Sequence, residues 1–585
     1  MEKPTKEYKR RLESRRRLFF SRGELESLCD MLKRMKFCYS GRDCVVERVK
    51  REAVTHTVDN FYFDVLSIAA FLKSRGFQNR HIAIVGENSY NWLITFFAAS
   101  CLGAVAVPID RELTDPEIER LCKKADCGAL FFSRTYKNAA LGCKTKADFL
   151  SVCMDESSGE LAFEAVLFEG RKLLERIGDE NELLCAKPED PAAIIFTSGT
   201  TGENKGVVLT HRNLASNVNA VLGSIEHFYS AMSVLPMNHA YELSCCVLSA
   251  LCLNAVLYIN DSLRRFRKNL AEFKPEAMAA VPLLMDNIYE QIIKGASSAG
   301  RLKKLLKAAK LSETLLRAGI DIRRLLFASV RKEFGYRFPV ISVGGAPVNG
   351  ERARFLAALG FSIYIGYGLT EASPLVAVNG NVIKNCESVG KCVSGTECRI
   401  VTPDADGIGE IAVKGSNISK GYYKDESATA ASFKDGWFLT GDYGRMDKQG
   451  NLYISGRKKN LIILDNGKNI HTEVLEEYFT ENCPFVKEAV LLEHTRRANG
   501  ETARLLALAV SVKEGFFEND SDSEMLEKVS EEIYKLNESL PAYKRVADVM
   551  AVRHEFEKTS TLKIIRKSVE EEYKKYADLR DKNYA

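Results

Sequence analysis

The sequence has little net charge: 83 lysines and arginines stand against 78 acids, a formal +5 over 585 residues. A field that weak on so long a chain gives no case for a nucleic-acid partner, so any basic surface has to be local. No apolar run of about 18 residues occurs, which argues against a membrane span, and no apolar stretch near the N-terminus points to secretion. The 16 cysteines include no C-x-x-C pair, and Cys245 and Cys246 are adjacent. Neither a zinc framework nor a disulfide scaffold is expected; a reducing, cytoplasmic setting is. What remains, 46% apolar and 28% charged residues, is a globular composition, and the length exceeds what one hydrophobic core serves, so two to four structural units are expected.

The most informative stretch runs from Ile194 to His211. Ile194–Phe196 and Val207–Leu209 are short apolar, β-branched runs that read as strands. Residues 197–206 between them hold three glycines, four hydroxyls (Thr197, Ser198, Thr200, Thr201) and Lys205. Such a loop buries little apolar surface. Its glycines, Gly199 and Gly202 among them, free backbone N–H groups to point inward, and with the hydroxyls and the cation this suits a polyphosphate. A plain hairpin turn needs two to five residues and not this composition. The loop is not a Walker A motif, because Lys205 lies between Asn204 and Gly206.

From about residue 57 helical and strand patterns alternate, the mark of α/β architecture. Asn60–Arg75 reads as a helix, His81–Val85 as a strand, Glu87–Trp92 as the start of a helix and Ala104–Ile109 as a strand. Further on, Phe338–Val343 and Phe361–Ile365 read as strands running into glycine-rich turns, Gly344-Gly345-Ala346-Pro347 and Gly366-Tyr367-Gly368-Leu369-Thr370-Glu371. In open α/β sheets ligands sit beyond the carboxyl ends of strands, where a residue without a side chain lets a flat base approach the backbone. A threonine hydroxyl suits a phosphate oxygen and a hard carboxylate suits Mg²⁺, although Thr-Glu alone equally well opens a helix.

These motifs, taken in order, resemble the adenylate-forming superfamily of acyl-CoA synthetases, luciferases and peptide-synthetase adenylation domains. The loop at 197–206, Leu235-Pro236-Met237-Asn238-His239-Ala240-Tyr241-Glu242, the Gly-Tyr-Gly-x-Thr-Glu run followed by Ala372-Ser373-Pro374, Gly436–Asp442, Gly456-Arg457-Lys458-Lys459 and Lys558–Arg566 all carry the likeness. It is greatest to long-chain-fatty-acid–CoA ligases. Two positions depart: Asn204 stands where Pro is usual, and Leu283 follows Val281-Pro282 where long-chain members often have Arg.

The resemblance implies a large N-terminal domain of two α/β sheets with a small β-barrel, and a small mobile α+β lid. The divisions expected are a basic N-terminal extension over 1–56, an AMP-binding domain over 57–458 and the lid over 459–585. It implies ATP binding by Thr197, Ser198, Gly199, Thr200, Thr201, Gly202, Lys205, Gly344, Gly345, Ala346, Pro347, Tyr367, Gly368, Asp442 and Arg457. It places Mg²⁺ at Glu371 and Thr200, makes Lys459 the hinge, and gives Lys563, Thr370, Glu371 and His239 to the chemistry. The implied reaction joins a fatty acid to CoA through an acyl-adenylate, with Lys563 delivered by closure of the lid.

Alternatives stand beside it: transfer to an acyl carrier protein instead of CoA, activation of an amino acid with Glu242 pairing the ammonium, or a nucleotide-binding regulator without chemistry. Two basic stretches, Lys9–Arg17 and residues 290–336, read either as solvated helix faces or as contacts to the inner face of an anionic membrane; the second also suits CoA phosphates or an acidic carrier. Near Asp465-Asn466-Gly467 a hairpin turn is expected.

Overall fold

A computed structural model describes residues 13–14, 16–50, 52–144, 148–155, 161–198, 204–334, 339–464, 469–498, 501–558 and 564–584. The chain divides into two compact units. The first takes Met1–Cys398, Val413–Phe438 and Lys448–Leu452; the second takes Arg399–Ala412, Leu439–Asp447 and Tyr453–Ala585.

The first unit is built on two α/β sheets. The seven-stranded sheet has the spatial order Leu161–Ala162, Leu150–Cys153, Cys127–Phe132, His81–Val85, Val105–Pro108, Pro191–Ser198, Asn204–Thr210. All its pairings are parallel except the last, in which Pro191–Ser198 and Asn204–Thr210 run antiparallel. The strands at its centre read as unbroken apolar runs because helices such as Val58–Ser74 and Tyr90–Cys101 cover them, leaving no wet face for a polar alternation. The nine-stranded sheet has the order Lys391–Cys392, Leu375–Asn379, Ser362–Gly368, Val340–Val343, Ala277–Ala280, Ser230–Ser233, Val256–Ile259, Asp43–Val49, Glu52–Thr57.

Helix starts are set by the capping chemistry visible in the sequence. Thr57 and Asn60 form a reciprocal capping box at Val58–Ser74, Thr210 and Asn213 form another at His211–Ser224, and Ser89 accepts from Trp92 N at the start of Tyr90–Cys101. Each such cap contributes about 1 kcal/mol.

Residues 1–56, expected as an extension, are from Leu28 onward part of the first unit's body. Helix Leu28–Tyr39 buries Leu28, Met31, Leu32, Met35 and Tyr39, and the following strands join the nine-stranded sheet. The buried imidazole of His211 fastens this helix. Its Nδ1 accepts from Leu28 N at 3.3 Å while Nε2 faces Ser100 O at 3.1 Å, so the proton is on Nε2. Burial pushes its pKa down to about 4, keeping it neutral.

Thr396–Val401, Gly409–Gly415, Phe433–Lys434, Trp437–Met446 and Leu452–Arg457 form a five-stranded sheet where the resemblance places a small barrel. In the second unit Val486–Ala498, Glu501–Val512 and Val546–Val552 form a three-stranded sheet, and the helices Thr472–Asn482 and Asp522–Asn537 bury Leu475, Phe479, Val529 and Ile533 in the core that it shares. Ile462–Ile463 and Asn469–Ile470 pair as a short antiparallel ribbon, but the Asp465-Asn466-Gly467 turn expected between them lies outside the described residues.

Candidate active site

Both strands of the 194–211 hairpin run further than their apolar residues. The ladder continues from Ile195↔Val207 through Phe196↔Gly206 and Thr197↔Lys205 to Ser198↔Asn204. Backbone pairing does not require apolar side chains, so periodicity marked only the buried half of the hairpin. Gly199, Thr200, Thr201 and Gly202 lie outside the described residues, as does Lys563. Gly206 is required by packing: a Cβ there would come within 2.9 Å of Ile194 Cγ2.

Two other motifs close on this hairpin. Residues 421–423 lie along its outer edge, with Val208 N donating to Gly421 O at 3.1 Å and Tyr423 N to Gly206 O at 2.7 Å. Tyr422 is thereby set between two charged groups. Lys205 Nζ is 5.0 Å from the centre of its ring, and Tyr422 Oη donates to Glu371 Oε1 at 2.8 Å. Burial first, and the Glu371 carboxylate second, hold the phenol protonated well above its ordinary range. One aromatic side chain thus joins the cation of the loop to the carboxylate of the Thr-Glu motif. The place of Tyr422 between Lys205 and Glu371 is a fact of tertiary structure that no sequence spacing marks.

Thr370 and Glu371 occupy a short 3₁₀ turn, Thr370–Ala372, at the end of Ser362–Gly368. The strand continues through Gly366, Tyr367 and Gly368, which were expected to form the turn, and the chain reverses only over Leu369–Pro374, where Leu369 N donates to Pro374 O at 3.0 Å. Buried amides fix that reversal. Asn417 Nδ2 donates to Ala372 O at 3.0 Å and Leu375 O at 3.1 Å; Asn217 Nδ2 reaches the same two carbonyls at 3.3 and 3.1 Å. Gly368 leaves no room for a side chain, since a Cβ would come within 2.2 Å of Pro374 O.

Gly344 and Gly345 follow the neighbouring strand Val340–Val343. A Cβ on Gly344 would approach Gly366 O to 2.9 Å, and Gly345 has φ of +86° with nothing within 4 Å of its Cβ direction. The second glycine therefore presents bare backbone to open space, and Ala346 and Pro347 continue this edge; the arrangement suits a flat ring. Tyr241 walls the same place. Its Oη donates to Ser342 O at 2.8 Å, and its ring comes within 3.7 Å of the Gly344 Cβ position.

In the second unit Asp442 and Arg457 are brought together. Arg457 Nε lies 2.8 Å from Asp442 Oδ1, with the carboxylate buried and the guanidinium half exposed. Asp442 N donates to Thr440 Oγ1 at 3.1 Å. Glu473 clamps the backbone here, accepting from Arg457 N at 3.3 Å and from Asn460 Nδ2 at 2.6 Å. Lys458 pairs with Glu410 at 2.7 Å. Lys459 is half-buried, and burial, then the nearby Arg457 and Arg566 guanidiniums, lower its pKa. In the described part of Lys558–Arg566, Lys558 bridges to Ile564, and Arg566 opens the helix Arg566–Tyr584, held at 2.6 Å by Glu476.

With this geometry in view, the comparisons with known proteins are decisive. The family pattern described as "AMP-binding enzyme" matches residues 38–423, and "AMP-binding enzyme C-terminal domain" matches 459–579. The chain belongs to this family. It is 27% identical over 530 residues to the long-chain-fatty-acid–CoA ligase FadD15 of Mycobacterium bovis, covering 84% of this chain and 86% of that protein. It is 30% identical over 481 residues to human long-chain-fatty-acid–CoA ligase 1, covering 76% and 67%. Among solved structures, o-succinylbenzoate CoA synthetase from Bacillus subtilis with its acyl-adenylate intermediate shares the fold at a TM-score of 0.68 and 20% identity, over 92% of this chain and 97% of that one.

His239 is half-buried, its Nε2 3.8 Å from Asp110 Oδ2 just past the strand Val105–Pro108. Its segment is pinned by a residue whose role the sequence did not disclose: Asn88 donates to Leu235 O at 2.8 Å and accepts from Met237 N at 2.9 Å. Glu242 lies in the first turn of a π-helix, Tyr241–Leu248, and is fully buried, with Val234 N donating to Oε1 at 3.2 Å. Burial pushes its pKa up to about 8, so at neutral pH it is an uncharged acid and a poor counter-ion for an ammonium. This weighs against amino-acid activation.

Proposed function

We propose that the chain is a fatty-acyl-CoA synthetase, forming an acyl-adenylate from ATP and a fatty acid and then passing the acyl group to CoA. The observation that carries this is the convergence of Lys205, Tyr422 and Glu371, three residues far apart in sequence, beyond the end of the strand Ser362–Gly368, whose neighbour Val340–Val343 runs into Gly344 and Gly345. Such a place offers a cation for phosphates, a hard carboxylate and a bare backbone for a base. The CoA-ligase names of the relatives supply the acid and thiol classes.

A carboxylate is a poor electrophile. In the reading proposed, its oxygen attacks the ATP α-phosphorus, the bond from that phosphorus to the bridging oxygen breaks, and pyrophosphate leaves. The CoA thiolate then attacks the acyl carbon and AMP leaves with both electrons of the carbon–oxygen bond. Negative charge grows on the α-phosphoryl oxygens in the first step. Lys563 and the Thr370 hydroxyl are assigned to them, Lys205 and the 197–206 loop to the departing phosphates, and Asp442 to the ribose hydroxyls. Asp442 meets the ribose only by sharing or surrendering Arg457. Lys459 is assigned the hinge.

Mg²⁺ fits the donors present. Among the described residues no cluster of three His, Cys, Asp or Glu could hold a metal by itself, but a cation bound through one carboxylate and substrate phosphates needs none. Glu371 would hold it through the carboxylate that Tyr422 orients; Thr200 is its second assigned ligand. When bound, the ion supplies Lewis-acid neutralisation of phosphate charge.

Pyrophosphate release is to be measured over a panel of carboxylates, with CoA and a phosphopantetheinyl carrier protein compared as acceptors. Release driven by medium- or long-chain fatty acids, with CoA consumed, is expected. Consumption of the carrier alone would move the protein to a carrier-loading ligase, and silence with every acid would leave a nucleotide-binding regulator.

A further inference from the structure

One of the chain's two basic stretches lies within the described residues from Arg301 to Leu326. Residues 301–326 carry eight lysines and arginines against Glu313 and Asp321, a net of +6 where the entire chain has +5. Both acids are engaged by arginines, Glu313 with Arg317 and Asp321 with Arg323, each at 2.8 Å. Helix Leu302–Arg317 turns its small residues inward: Ala309 and Ser312 are buried, and Ser312 Oγ donates to Ala358 O at 2.7 Å. At about 100° per residue Lys303, Lys307 and Lys310 fall together on the opposite face. All three are exposed, and among the described residues none of them forms an ion pair.

Exposed leucines stand at both edges of this stripe. Leu306 is 44% exposed and Leu311 50%, and past the helix Ile320 is 51% and Leu325 82% exposed. A merely solvated helix face gains nothing from apolar side chains in water. A soluble polyanion would satisfy the lysines and leave the leucines wet. A surface with anionic headgroups above an apolar interior satisfies both, and among the described residues no helix is long and apolar enough to cross it, so the contact would lie in the interfacial plane.

We propose that this face docks peripherally on an anionic lipid surface, with Lys303, Lys307 and Lys310 at the headgroups and Leu306, Leu311 and Leu325 in the acyl boundary. The proposal stands apart from the enzymatic reading, because binding is measured without ATP, fatty acid or CoA.

The full chain is sedimented with vesicles of phosphatidylcholine containing one third phosphatidylglycerol, and with phosphatidylcholine alone, at 0.1 M salt. Binding to the first and at least tenfold weaker binding to the second are expected. K303Q/K307Q/K310Q should lower the partition coefficient about 100-fold, at roughly fivefold per lysine. L311S/L325S should lower it about tenfold, and that loss should persist at 1 M salt, where the lysine contribution is screened. All these side chains are on the surface, so circular dichroism and acyl-CoA formation in solution should match wild type. The proposal is overturned if wild type stays in the supernatant with anionic vesicles or if either variant sediments like wild type. Retention on polyglutamate without vesicle binding also overturns it, and makes the partner an acidic protein.

Discussion

Around Thr370 and Glu371 the braces are neutral, whereas around Asp442 and Arg457 nearly every brace is a charge. Asn217 and Asn417 each give two buried hydrogen bonds to the Ala372 and Leu375 carbonyls, and Tyr422 reaches Glu371 as an uncharged phenol. Asp442 is instead held by Arg457, Arg457 N by Glu473, Lys458 by Glu410 and Arg566 by Glu476. A buried neutral bond left unmade costs roughly 1–3 kcal/mol, so the first arrangement is stiff. Part-exposed ion pairs contribute about 1 kcal/mol or less and exchange partners readily. The first set suits groups that must be in place before the substrate arrives, and the second suits groups that trade one partner for a ligand.

The comparison is broken most severely at Lys563. Lys563→Ala should lower acyl-adenylate formation by about 10²–10³-fold while CoA acylation from supplied acyl-adenylate persists, as two separate half-reaction assays would read. Equal loss in both would end the division of labour. Next comes Asn417→Ala, which removes two of the four buried amide hydrogen bonds to the Ala372 and Leu375 carbonyls and leaves the buried Thr396 hydroxyl without its Asn417 acceptor. Stability should fall by about 1–3 kcal/mol, and kcat by about tenfold with KM for ATP little changed, because the turn carrying Glu371 is displaced but not removed. Asp442→Asn should do the reverse, raising KM for ATP about fivefold with a smaller effect on kcat and a weaker dependence on salt.

A fourth test uses pH. Glu242 keeps its proton to about pH 8 when folded, against a usual 4.5. Between those values the folded chain binds the extra proton, so the group's contribution to stability is full below pH 4.5 and is lost as pH rises through 8. Denaturant midpoints at pH 5.5 and 8 should show Glu242→Gln falling less steeply than wild type; parallel curves would place a solvated, ionised carboxylate there. The smallest effect is expected at Asn204, whose carbonyl accepts from Lys124 Nζ at 2.6 Å, a bond proline would retain. Asn204→Pro stiffens the loop and should change turnover by no more than about twofold, downward if pyrophosphate release needs a mobile loop.

The same contrast explains what was legible in the sequence. Gly344, Gly345 and Gly368 stood out in the sequence as strand-end glycines because backbone geometry is local; Gly344 and Gly368 prove to be close approaches and Gly345 a position of positive φ. Strand ends were read short wherever the ladder outran the apolar pattern, at Thr197 and Ser198 and again at Gly366–Gly368. The braces escaped notice because each joins residues remote in sequence. Asn88 to Leu235, Asn417 to Ala372 and Tyr422 to Glu371 have no spacing that a pattern could register. The charge state of Glu242, on which the amino-acid alternative turned, depends on burial, which the chain order does not state.

The central claim is that a carboxylate attacks ATP at the α-phosphorus on this scaffold. It is tested most directly by supplying a fatty acid labelled with ¹⁸O in its carboxyl group, together with ATP, Mg²⁺ and CoA, and weighing the products. The account predicts one ¹⁸O in AMP and none in pyrophosphate. Label in inorganic phosphate, with ADP as the nucleotide product, would contradict it.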